Sequence, residues 1–142
     1  MPNSRKVPAL KAIEQQRIPI VEGRFHDKEP VFSFKYYDHA HVDFSICTHT
    51  MEDVKKLFSR LRDYSRMLWR EVIQHHGSHH HEVHWRDTAY PNGFENIPVK
   101  IREGITPRQF ALEGIYRIFG FFDGTTFYIV WFDKDHKVYP ID

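Results

Sequence analysis

The sequence predicts a single α+β domain: a mainly antiparallel sheet of about four strands with two helices packed on one face, in the order strand, helix, helix, strand, strand, strand. Three observations predict it. Residues 108–139 hold the densest run of β-branched and aromatic residues, residues 50–73 repeat apolar side chains at helical spacing, and residues 31–37 form one more strand-like stretch upstream. At 142 residues, 41% hydrophobic and 15% aromatic, the chain has the length and composition of one folded domain. The core is expected over residues 25–142, with residues 1–24 as an N-terminal arm carrying Pro2, Pro8 and Pro19.

After Pro30, Val31, Phe32, Phe34, Tyr36 and Tyr37 read as a strand, and residues 38–49 as a polar connector interrupted by Phe44-Ser45-Ile46. The period then changes. Thr50 with Asp53 makes an N-cap with an acid in the first turn, and Met51, Val54, Leu57, Phe58, Leu61 and Tyr64 recur at three and four. Ser65 caps a second helix or bends the first, since Leu68, Trp69, Val72 and Ile73 continue the apolar face until Gly77 breaks it. Residues 82–86 suggest a short strand, Tyr90-Pro91-Asn92-Gly93 a turn, and residues 98–107 a loop with a brief extended piece at Val99-Lys100-Ile101. Residues 109–112 enter the sheet and turn at Glu113-Gly114. Residues 115–122 and 126–132 then flank Asp123-Gly124, a pair that accepts positive φ and suits a tight antiparallel hairpin. Both strands are apolar on both faces: Phe119 and Phe121 against Ile118 and Phe122 in one, Ile129 and Trp131 against Val130 and Phe132 in the other. A half-solvated hairpin would not tolerate that, so this one belongs at the centre of the sheet and covered.

A formal net charge of +1 falls short of a strongly basic nucleic-acid binder, so RNA contact would rest on local patches. With Cys47 as its one cysteine, the chain makes no internal disulfide. No apolar run approaches the about eighteen residues of a membrane span, and the basic N-terminus has no apolar segment behind it. A soluble, cytoplasmic protein without a membrane partner is expected. The absence of GxSxG, HExxH and a glycine-rich phosphate loop disfavours serine hydrolases, zincins and nucleotide hydrolases of those types.

Arg117 breaks the apolar pattern in mid-strand. A guanidinium cannot lose its proton there, so it requires a negative partner, either an Asp or Glu of this chain or a substrate phosphate. Lys134, His136 and Tyr139 follow the next strand and could share one end of the sheet with it. Such a set can cleave RNA without a metal: the ribose 2′-hydroxyl attacks its own phosphate, Arg offsets the added charge, and His or Tyr moves protons. The plain alternative is a solvated turn with Tyr139 as a core anchor. Arg62, Arg66 and Arg70, spaced by four, would line one face of a continuous helix and suit an RNA backbone, although Asp63 and Glu71 lie close enough to neutralise part of the stripe. His75, His76, His79, His80, His81 and His84 surround Glu82 with spacings that zinc could use. Gly77-Ser78 interrupts the helix that would align them, and a mobile or solvated loop without a metal is the reading preferred.

Tyr116-Arg117-Ile118-Phe119, then Phe127-Tyr128-Ile129-Val130, then Lys134, His136 and Tyr139 resemble the C-terminal half of RelE/YoeB-type toxins. The order of elements is similar too. The resemblance implies a metal-independent endoribonuclease that cleaves mRNA, free or on the ribosome, is neutralised by a cognate antitoxin protein and needs no cofactor. It implies Arg117, Lys134, His136 and Tyr139 as catalytic residues and Glu103 or Glu113 as general base. Arg62, Arg66, Arg70 and Lys137 are the RNA-binding candidates. The alternative is a non-catalytic protein- or RNA-binding module on the same fold.

Overall fold

A computed structural model of the chain describes residues 27–140, so the N-terminal arm expected over residues 1–24 lies outside the described residues. The fold is α+β, as expected, with a sheet of five strands among the described residues. Its strands are β1 (Val31–Ser33), β2 (His81–Glu82), β3 (Arg108–Glu113), β4 (Tyr116–Asp123) and β5 (Thr126–Asp133), in the spatial order β1-β5-β4-β3-β2. The sheet is mixed rather than purely antiparallel, because β1 pairs with β5 in parallel while β2–β3, β3–β4 and β4–β5 are antiparallel. Both edge strands are very short, which leaves little unpaired ladder to recruit another chain.

The β4–β5 hairpin is central, and its turn closes on Gly124 at φ +60, between the paired Asp123 and Thr126. The irregularity between Phe119 and Gly120 lets β5 carry one extra residue, which sends Val130 and Trp131 to the same side of the sheet. Apolarity on both faces has the predicted consequence. Ile118, Ile129 and Val130 are wholly buried, and each face carries its own core.

One face holds the two helices. α1 (Met51–Ser65) starts in a capping box: Asp53 N–H donates to Thr50 Oγ1 and Thr50 N–H donates to Asp53 Oδ2. It ends at Arg66, and α2 (Trp69–Gln74) starts after Leu68, so Ser65 closes the first helix rather than bending a continuous one. Leu57, Leu61, Tyr64, Trp69 and Val72 pack on Phe110, Ile118, Phe122, Phe127 and Ile129. Trp69 is fully buried, and its indole N–H is satisfied by the Thr125 carbonyl at 2.7 Å.

The other face is covered by irregular chain. Tyr36, Phe44, Val83, Phe94, Ile97 and Ile101 close over Phe119, Phe121, Val130 and Trp131. The piece expected to be extended at residues 99–101 is instead a short helix, α3 (Val99–Arg102), which buries Ile101. Four residues are too few for periodicity to distinguish the two states. The histidine-rich stretch is not a free loop. It forms a 3-10 turn at His76–Ser78 and then β2, with Ser78 and Val83 buried.

One polar network ties this covering to the chain beyond β5. Tyr90 donates its hydroxyl proton to Asp43 at 2.9 Å, and the Lys137 ammonium lies 3.1 Å from the other Asp43 oxygen. The hydrogen bond from Lys137 holds the Asp43 carboxyl below its ordinary value, while burial, helped by Asp43, pushes Tyr90 up to about 12. A depressed carboxyl contributes stability above the unfolded value of about 4 and loses it as pH falls through the folded value. Asp43→Asn should therefore flatten the acid side of the melting-temperature profile and leave its alkaline side unchanged up to about pH 9. Parallel acid limbs in variant and wild type would refute this.

Candidate functional site

The capping box that begins α1 places His49 directly before the cap, against the first residue of β4. Its ring meets Tyr116 edge-on at 5.5 Å and Phe132 at 6.3 Å, and its Nε2 lies 2.5 Å from the Tyr116 hydroxyl. Burial pushes Tyr116 far above the ordinary tyrosine value, and burial lowers His49. Both shifts favour the neutral pair, with the hydroxyl donating and Nε2 accepting. The remaining ring hydrogen then sits on Nδ1, which is buried without a partner among the described residues.

Tyr116 opens onto a cleft of ≈ 330 Å³ between the start of α1 and the β3–β4 turn. Lys134, the first residue past β5, enters it from the side, 3.8 Å from the Asp53 carboxylate and 3.4 Å from Asp135. Asp53 is held below its ordinary value chiefly by the Thr50 backbone N–H, so it remains ionised beside the lysine. Lys56 and Glu113 complete the polar lining. The cleft thus combines a fixed cation with a hydrogen-bonded Tyr–His pair, the parts needed to offset charge and relay a proton.

Only part of the predicted site is here. Lys134 is in the cleft, and of the two candidate bases Glu113 lines it, while Glu103 lies in a different cavity. Arg117 is buried and turned inward: its Nη1 donates to the carbonyls of Gly114 at 2.6 Å and Tyr116 at 3.3 Å, and Nε has no partner among the described residues. In the β4–β5 register it faces Asp133, whose charge supports the guanidinium against burial. Arg117 therefore spends its recorded hydrogen bonds on backbone carbonyls of its own chain, with Asp133 supporting it through charge rather than through an ion pair. Asp133 itself caps the following turn, accepting from the amides of Lys137 at 2.8 Å and Val138 at 2.9 Å.

That turn carries His136 and Tyr139 to the opposite face. His136 sits at φ +60 with Nδ1 against the Tyr139 carbonyl, and the Tyr139 ring packs on Phe119 and His81. The four residues read as one catalytic set are thus distributed over both faces of the sheet. The cause is strand alternation, which sends Asp133 and Lys134 to opposite sides. Lys137 is engaged by Asp43.

The arginine stripe is also divided. Arg62 lies in α1, 3.8 Å from Asp63, Arg66 caps that helix, and Arg70 belongs to α2, paired with Asp27. All three are exposed, on two helices rather than one. The histidines disperse as well. His75 accepts from the Gly77 amide, His80 stacks on Phe110, and His84 lies 3.5 Å from Glu82. Among the described residues no three His, Cys, Asp or Glu side chains gather as metal ligands.

Sequence reasoning overlooked His49 and gave Tyr116 no role. They are 67 positions apart, and the sequence signal at His49 is its place just before a helix cap. No helix among the described residues is long and apolar enough to cross a membrane. The chain matches no known family model, no curated protein and no solved structure.

Proposed function

We propose that the chain is a metal-independent endoribonuclease acting on mRNA, free or on the ribosome, in the manner of a toxin held in check by an antitoxin protein. The observation that carries this reading is the cleft lined by Lys134 and Tyr116, with the Tyr116 hydroxyl hydrogen-bonded to His49 behind it. In it, the 2′-hydroxyl attacks the adjacent phosphorus, forming the 2′,3′-cyclic phosphate and breaking the bond to the 5′-oxygen. Tyr116 accepts the 2′-proton as it passes its own to His49, and the reverse relay delivers a proton to the leaving 5′-oxygen. Lys134 offsets the charge that develops on the phosphoryl oxygens.

A second reading, a non-catalytic protein- or RNA-binding module, draws on two observations. Arg117 is bound to backbone carbonyls rather than presented to a ligand, and the carboxylates Asp53, Glu113 and Asp135 outnumber the lysines in the cleft. One experiment separates the two. Purified protein incubated with mRNA in excess chelator, with and without ribosomes, should generate 2′,3′-cyclic phosphate ends, and its expression in bacteria should arrest growth. Intact RNA under both conditions, with growth unaffected, would leave the binding module standing.

A further inference from the structure

One carboxylate connects Lys134 to the chain that carries His49. Asp53 Oδ2 accepts the Thr50 N–H at 2.9 Å and lies 3.8 Å from the Lys134 ammonium, while the Asp53 N–H donates to Thr50 Oγ1 at 3.1 Å. Thr50 follows His49 in the chain, so the side chain that meets Lys134 is hydrogen-bonded to the backbone one residue beyond the ring that pairs with Tyr116. Asp53 does not swing freely. As the third residue of α1 it is held by the capping box, at the positive end of the helix dipole.

When His49 accepts the Tyr116 proton on Nε2, its ring already carries a hydrogen on Nδ1 and becomes an imidazolium in a half-buried position. A cation withdrawn from water requires a negative charge nearby. The charged groups around His49 are Asp53 from α1 and Lys134 and Asp135 from the chain beyond β5, with Tyr116 of β4 as its hydrogen-bond partner. Burial lowers His49 most; among the charges Asp53 acts most strongly and raises it, Lys134 opposes it, and Asp135 adds to Asp53. Tyr116 is raised by burial first, then by Asp53 and more weakly by Tyr37 and Asp133.

We propose that Asp53 is the positioning residue of this site: it holds Lys134 in the cleft and keeps a fixed negative charge beside the place where the His49 imidazolium forms. It acts through those two residues. Its consequence for cleavage rests on the ribonuclease reading, whereas its coupling to His49 belongs to the folded chain and is measurable without RNA.

The experiment is an NMR titration of the His49 ring in the full chain, assigned by the signal that disappears in His49→Gln. Asp53→Asn and Asp53→Ser remove the charge and keep an oxygen able to accept the Thr50 N–H. Either should shift the His49 midpoint to lower pH, because the imidazolium loses its support. Asp53→Glu restores the charge with the usual capping-box residue and should return the midpoint towards wild type. The sign separates this role from a merely structural one: damage to the fold would expose His49, relieve the burial that lowers it and move the midpoint up. With RNA, the neutral variants should lower kcat about tenfold without raising KM, since the lost carboxylate repelled phosphate, and should move the acid limb down with the His49 midpoint. The inference is overturned if the midpoint stays in place or rises in both neutral variants, if Asp53→Glu behaves like them, or if kcat is unchanged while wild type cleaves. A wild-type chain that leaves RNA intact would remove the ribonuclease reading, and the titration would still decide the coupling.

Discussion

Replacing Gly120 by alanine should destabilise the domain by on the order of 3 kcal/mol or more, a large part of the total stability of a domain this size. Gly120 lies in the middle of β4, at the bulge where β5 carries its extra residue. A Cβ there would overlap the Tyr128 carbonyl oxygen and come within 2.9 Å of its carbon, with the Phe127 ring 3.0 Å away. The two Tyr128 atoms are backbone of the neighbouring strand, so no rotamer change relieves that clash; the ladder itself has to part. A melting temperature lower by about 10 °C or more is the expected readout, and Gly114→Ala, where a Cβ meets nothing within 4 Å, provides the comparison. At Gly114 the cost is the positive φ alone, about 1 kcal/mol. Equal melting temperatures for the two variants would show that the bulge yields more easily than its geometry indicates.

The second large effect concerns RNA cleavage. His49→Ala should lower the rate by about 10²- to 10⁴-fold, the range for loss of a proton-transfer group, and Lys134→Met by about 10²- to 10³-fold, the range for loss of one donor to a developing oxyanion. Because burial lowers His49, the neutral ring persists to lower pH than an ordinary imidazole. Cleavage should accordingly be flat through neutrality and decline only below the ordinary value of about 6.5. Tyr116→Phe should abolish that acid limb together with the rate. Arg117→Ala separates chemistry from folding: with the guanidinium bound to the Gly114 and Tyr116 carbonyls, its loss should show first as a lower melting temperature. Full activity in both His49→Ala and Lys134→Met would remove the cleft from consideration.

The two-faced apolar hairpin and the amphipathic α1 were legible because each is a local pattern of ten or more residues. The parallel pairing of β1 was not, since nothing near residue 31 specifies a partner strand near residue 126. Arg117 shows how far composition reaches. Its need for negative partners was readable, but their identity depended on a β-turn carbonyl and a cross-strand register. Lys134 could be named as a candidate, while the His49–Tyr116 pair required the fold, because a helix cap and a strand start must meet in space before they can share a proton.

The position of β1 also sets an order of events during folding. Its ladder partner is the last strand, and beyond it Trp131 hydrogen-bonds to Asp38 across 93 positions of sequence. Until β5 has been synthesised, β1 has no edge to join, and Phe121 and Phe119 lack the hairpin partner that buries them. The domain therefore cannot accumulate stability gradually from its N-terminus. The ribosome releases an early strand that must wait, with long-range closure as the slow step, and the nascent chain is most exposed to chaperones and to self-association just before the final strand emerges.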